Sequence, residues 1–136
     1  MAETVRQVEY FYTEVPNKVG EGAKALRTLK DAGVNLLAFS GFPVGRKAQL
    51  DFFPADGAAF KQVAKTNRWK LVGPKRGFLV QGDDRMGAIA DLIGKLADAK
   101  IEVIAIDAVS VGERYGALLW VTPRDAKKAA TILGVV

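Results

Sequence analysis

The sequence predicts an α+β chain made of two βαββαβ units, each an antiparallel sheet with both helices on one face. An internal repeat is the first observation behind this. Asn17-Lys18-Val19-Gly20 realigns on Asp84-Arg85-Met86-Gly87 at an offset of 67 residues, and Leu26/Ile93, Leu29/Leu96, Asp31/Asp98, Ala32/Ala99, Val34/Ile101 and Leu36/Val103 fall into the same register. The second observation is that, in both copies and in the same order, apolar residues switch between strand-like runs and helical steps of three and four. Further on, Leu50 aligns with Leu118 and Phe52 with Trp120, an offset of 68 that predicts one inserted residue in a hairpin.

The elements follow in order. β-Branched and aromatic residues over 8–13 give a first strand, matched by 78–81 in the second copy. A helix comes next in each copy, with Val19, Ala23, Leu26 and Leu29 expected on one buried face, and Met86, Ile89, Ile93 and Leu96 on its counterpart. Asn17 and Asp84 stand at the expected N-cap positions, and Gly33 closes the first helix as a C′ glycine. Second strands over 34–39 and 101–109 turn at Gly45 and Gly112 into third strands over 48–53 and 116–121. A second helix is expected over 56–66 with Phe60 and Val63 inward; in the other copy Thr122-Pro123-Arg124-Asp125 has the capping-box pattern with proline at the first helical position. Residues 69–72 read as the fourth strand of the first copy, and 134–136, cut short by the end of the sequence, as that of the second. The expected domains are 1–73 and 74–136, joined by a short connector at 73–76. A unit of about 65 residues buries a marginal core, so the units are expected to pack on each other or on a second chain.

Composition narrows the function classes. The chain is 49% hydrophobic and 26% charged, which suits a packed globule and not a disordered segment. No apolar run reaches the roughly 20 residues that span a bilayer, and charges fill the start where a signal peptide would be apolar, so a soluble cytoplasmic protein is expected. Cysteine and histidine are both absent, which removes disulfides, thiol nucleophiles, imidazole bases and the commonest metal ligands together. No catalytic activity, cofactor or metal is therefore expected. Of the net charge of +5, much falls in one tract, where Lys61, Lys65, Arg68, Lys70, Lys75 and Arg76 are interrupted by no acidic residue. Such a run reads first as a solvated helix face and connector, and second as an anion patch.

A βαββαβ order is ferredoxin-like and by itself implies no function. The loops opening the first helix of each copy say more. Residues 17–22, Asn17-Lys18-Val19-Gly20-Glu21-Gly22, and 84–89, Asp84-Arg85-Met86-Gly87-Ala88-Ile89, resemble the Asp/Asn-x-Pro-Gly-x-Leu signature of ACT domains. The resemblance covers nearly the whole chain as two ACT-like units. Val19 and Met86 stand at the proline position and Gly22 at the large apolar one, so the second copy is the fuller match. The physics of such a loop suits a zwitterion. Helix N-terminal amides attract a carboxylate, glycine lets it approach the backbone, and Asn17 or Asp84 can accept hydrogen bonds from an ammonium group.

The resemblance implies a regulatory or sensory module that binds a small molecule, expected to be an amino acid, with its two sheets paired edge to edge into an eight-stranded sheet. By that analogy Asn17, Lys18, Val19 and Gly20 would face Val103, Ile104 and Ala105, while Asp84, Arg85, Met86 and Gly87 would face Leu36, Leu37 and Ala38. A homodimer or a regulated partner protein would receive the signal, and neither nucleic acid nor membrane is expected as a partner. Three other readings compete. An RNA-binding module would use Tyr10, Phe11, Tyr12, Phe52 and Phe53 as a stacking platform, but Arg76-Gly77-Phe78-Leu79-Val80 only partly matches the ribonucleoprotein motif and falls on a first strand instead of a third. An enzyme could hold Mg²⁺ on Asp83 and Asp84. A purely dimerising module would leave the loops as simple helix starts.

Overall fold

The computed structural model describes residues 3–135. Among them, strands β1 (Thr4–Pro16), β2 (Leu36–Val44), β3 (Lys47–Pro54), β4 (Val72–Asp83), β5 (Val103–Val111) and β6 (Arg114–Val121) alternate with helices α1 (Glu21–Asp31), α2 (Gly57–Thr66), α3 (Ala88–Asp98) and α4 (Ala126–Leu133). The chain divides into two compact units. The first is Glu9–Lys75; the second joins the segment ending at Val8 to everything from Arg76 onward.

In the first unit the strand order is β2-β3-β1-β4, with β1 and β2 antiparallel to β3 in registers that set Phe11 and Phe39 opposite Phe52. The alternation of β1 places Phe11 toward the helices, where it packs with Ala25, Leu29, Leu50, Phe52, Phe60 and Val63. Aromatic rings dominate this core: Phe11 stacks on Phe60 at 5.2 Å and Phe52 on Trp69 at 5.7 Å. Helix α2 starts as its sequence requires, because the Asp56 carboxylate accepts hydrogen bonds from the Ala58 and Ala59 amides.

The second unit repeats the plan with a different source for its last strand. Its order is β5-β6-β4-β1, and Val5 of β1 is buried with Phe78, Val80, Leu92, Leu96, Leu119 and Ala129. The fourth strand expected at 134–136 is therefore supplied from the other end of the sequence. Gly134 instead ends α4 in the left-handed region at φ 71°, Val135 lies in no strand, and Val136 falls outside the described residues. Burying a valine such as Val5 is worth about 1.5–3 kcal/mol, and Val135 adds to the same core from the end of α4 without pairing as a strand. Strand β1 can serve both units because it is 13 residues long.

The same economy removes the expected connector. β4 runs from Val72 straight through Gly73 and Pro74 to Asp83, and 69–71 lie before it in irregular chain. Gly73, at φ 132°, lies so close to β1 that a Cβ there would sit 2.9 Å from the Tyr10 carbonyl oxygen. With β1 and β4 each passing through two units, the described residues hold six strands and not eight.

Three local expectations are also corrected. The offset stays at 67 through both hairpins: Val44 pairs with Lys47 and Val111 with Arg114, so Phe52 is matched by Leu119 and Leu50 by Ala117, with no inserted residue. The buried faces of α1 and α3 are Ala25 with Leu29 and Ala88 with Leu92 and Leu96, whereas Val19 and Met86 are fully exposed and Ala23 faces outward. Thr122 precedes a single 3₁₀ turn, Pro123–Asp125, and its hydroxyl donates to the Asp125 carboxylate at 2.9 Å instead of capping a backbone amide.

Candidate functional site

The two repeat loops end in the same backbone conformation. Gly20 and Gly87 are the residues from which α1 and α3 start, and both are left-handed, at φ 94° and 82°. Asn17 and Asp84, expected as N-caps, lie three residues earlier and cap nothing; neither helix start has a side-chain hydrogen bond. The contrast with Asp56 at α2 is local and physical. A glycine start leaves the first-turn amides of α1 and α3 without a side-chain acceptor, which is the state an incoming anion requires.

Around the α3 start, in the second unit, the chain forms a cavity of about 260 Å³ lined by Asp84, Arg85, Gly87, Ala88, Ile89, Ala90, Ala108, Val109, Ser110 and Tyr115. Of the predicted residues this brings together Asp84, Arg85 and Gly87. Met86 is exposed beside them, and the wall opposite the helix is made by Ala108, Val109 and Ser110 of β5. Val103, Ile104 and Ala105 stand at the other end of that strand. Ile104 is the extra residue of a β-bulge between Val103 and Ala105, and Leu37 is its counterpart between Leu36 and Ala38. Both bulged side chains are exposed, and both lie on the outermost strand of their unit's sheet.

Electrostatics at the cavity rest on a chain of paired groups. Arg85 donates to Asp91 at 2.7 Å, and its other terminal nitrogen lies 3.8 Å from Glu3. The Tyr115 hydroxyl donates to the same Glu3 oxygen, Oε2. Burial, and then the bond to this carboxylate, push the Tyr115 phenol well above its ordinary range, so it remains a donor. Asp83, considered above with Asp84 as a cation pair, accepts from Arg114 at 2.6 Å. Among the described residues no group of three acidic, histidine or cysteine side chains is placed to hold a metal ion.

The first unit differs at the matched positions. Asn17, Lys18 and Gly20 open α1, but Ala48 stands where the other unit has Tyr115, Val15 where it has Gly82, and Lys24 where it has Asp91. A cavity of about 350 Å³ lies along α1 here, lined by Val15, Glu21, Lys24, Ala25, Thr28, Asn67 and Trp69.

Glu3, Ser110 and Tyr115 were not anticipated from the sequence. Tyr115 becomes conspicuous only once the 67-residue offset is carried through the hairpin, which sets this large polar aromatic against Ala48. Glu3 gives no such signal, because its place depends on β1 entering the second unit.

No known protein-family profile matches the chain, and no curated protein does. Solved structures do. A protein of Bacteroides thetaiotaomicron is similar at a TM-score of 0.81 and 15% identity, over 97% of this chain and 88% of that one. Aspartokinase alpha and beta subunits give 0.65 and 15%, over 98% and 95%. The regulatory subunit of aspartate kinase from Thermus thermophilus, in a ligand-free form, gives 0.65 and 13%, over 98% and 93%. At such identities the likeness is one of fold, and that fold is ACT-like. No helix among the described residues is long and apolar enough to cross a membrane.

Proposed function

We propose that the chain is a regulatory module, without catalytic activity, made of two ACT-like domains in tandem and built to bind an amino acid or a similar small zwitterion. The observation that carries this is the α3 cavity, where a glycine-started helix free of any side-chain cap opens beside an acidic residue. A ligand carboxylate would take the first-turn amides near Gly87 and Ile89, since the Ala88 amide donates to the Arg85 carbonyl at 3.3 Å, its ammonium group Asp84, and its side chain the apolar wall of Ala108 and Val109. The recurrence of the same uncapped left-handed start at Gly20 supports an equivalent role for Asn17, Lys18, Val19 and Gly20. The likeness in fold to a regulatory subunit described ligand-free supports the class of function.

In this reading the bulged edge segments, Leu36, Leu37 and Ala38 in one unit and Val103, Ile104 and Ala105 in the other, serve as walls presented to a neighbouring ACT-like domain of a second copy. A ligand held at such a joint favours the joined state over the separated one, which is how binding would reach a regulated partner. The test is a thermal-shift screen of the twenty amino acids on the whole chain, followed by calorimetry on any that score. At a hundredfold excess over Kd a ligand adds about 2.7 kcal/mol of stability, which is readily seen. At least one amino acid should raise the melting temperature, and Asp84→Ala should abolish the rise. A flat response to all twenty would remove the reading.

A further inference from the structure

We propose that Glu3 is a specificity-determining residue of the α3 site: a carboxylate of the chain itself, seated at Arg85 and Tyr115, where a second carboxylate of a ligand would otherwise bind. The inference rests on reading the α3 cavity as a ligand site and concerns how that site chooses among anions.

Of the residues lining the cavity, Arg85 is the cation and Tyr115 the phenolic donor. These are the two side chains best suited to a carboxylate, and both already face Glu3. Its Oε2 accepts the Tyr115 hydroxyl and lies 3.8 Å from the Arg85 guanidinium.

The fold has made room for this. Gly82 is directly opposite Tyr115 in the β4–β6 register. A Cβ on Gly82 would stand 2.9 Å from both Glu3 Cγ and Tyr115 Cε1. In the sister unit the same strand pair is Val15 with Ala48, which offers neither the gap nor the phenol. The tyrosine, the opposing glycine and the glutamate thus belong together as one arrangement in one unit.

Glu3 competes from within the same molecule. A tethered carboxylate acts at an effective concentration far above that of most free metabolites. A ligand with a single carboxylate avoids the contest by using the α3 amides. A second carboxylate on the ligand finds the Arg85–Tyr115 corner filled, so the wild-type site discriminates against dicarboxylates.

The test uses the whole chain and glutarate as probe. Binding is followed by calorimetry and by the amide ¹⁵N–¹H shifts of Gly87, Ala88 and Ile89. Glu3→Gln should bind glutarate at least about tenfold more tightly than wild type, the scale of one charge-assisted hydrogen bond regained. Glu3→Ala, which empties the corner and leaves Gly82 and Tyr115 as they are, should move affinity the same way and decides the matter if Glu3→Gln does not fold. Equal binding by wild type and variants, tighter binding by wild type, or no glutarate binding by any form to tens of millimolar overturns the proposal. Failure of the zwitterion reading is separable from this. A wild type that binds no amino acid, beside a Glu3→Gln that gains glutarate, refutes that reading alone. An amino acid bound by wild type, with glutarate bound equally by both forms, refutes only the role of Glu3.

Discussion

Replacing Lys100 with glycine should stabilise the chain, and the repeat supplies its own control. Helices α1 and α3 end in the same way: the Gly33 amide donates to the Lys30 carbonyl at 3.0 Å and Val34 to Leu29 at 2.9 Å, while Lys100 donates to Ala97 and Ile101 to Leu96, both at 2.9 Å. The residue after each C-cap is left-handed, at φ 75° for Gly33 and 62° for Lys100. An L-residue in this region is strained by about 1–2 kcal/mol, and glycine loses about 0.5–1 kcal/mol more backbone entropy on folding. Lys100→Gly should therefore gain about 0.5–1 kcal/mol net. For a chain of 136 residues that is a rise of roughly 2–5 °C in Tm. Gly33→Lys should lose a similar amount, and since nothing lies within 4 Å of a Cβ built on Gly33, the loss isolates the backbone effect from steric clash. Urea unfolding at constant m-value measures both. An unchanged or lower midpoint for Lys100→Gly, with Gly33→Lys neutral, would refute the claim that the two helix ends share one conformational requirement.

Three further outcomes follow from the geometry. Asp56→Ala removes the two cap bonds of α2 and should cost about 1 kcal/mol of stability in urea titration while leaving ligand affinity at α3 unchanged. The Tyr115 phenol has its pKa raised in the folded state, so its contribution is complete below the ordinary value of about 10 and is lost as pH rises through the folded value; wild type should lose stability above about pH 10 more steeply than Tyr115→Phe, measured by urea midpoints across that range. Met86→Ser and Val19→Ser alter fully exposed side chains and should shift stability by less than about 0.5 kcal/mol, while Met86→Ser should weaken any amino acid that scores in the thermal-shift screen.

What the sequence made legible was whatever its repeat and its local chemistry record. Helix α2 could be read to within a residue because Asp56, Phe60 and Val63 speak for a cap and a buried face at once. The glycine loops could be located because they occur twice. The buried faces of α1 and α3 were misplaced because Val19 and Met86 complete a helical period by type, yet sit in the loop before the helix, in water. Chain order alone points to 134–136 as the fourth strand of the second unit. Nothing local distinguishes Val5 on β1 as belonging with Phe78 and Leu119, residues more than 70 positions away. Strand pairing is a non-local property, and a strand shared between units leaves no period of its own to detect.

The repeat also bears on whether the two loops can do the same thing. Backbone conformation is retained at Gly20 and Gly87, at the hairpin glycines Gly45 and Gly112, and at the bulges over Leu37 and Ile104. Side-chain charge is not. The Glu9–Lys75 unit holds 11 basic and 6 acidic residues and so the whole net charge of the chain, while the other holds nine of each. At the loop itself Arg85 meets Asp91, but the residue matching Asp91 near Lys18 is Lys24. A carboxylate approaching α1 meets Lys18 and Lys24 together with Glu21 of the first turn; one approaching α3 meets Ala88 in place of that glutamate and a guanidinium already engaged by Asp91 and Glu3. The conserved backbone makes both loops competent to receive an anion, and the divergent side chains make them unequal, so any ligand that occupies both should do so with two distinct affinities.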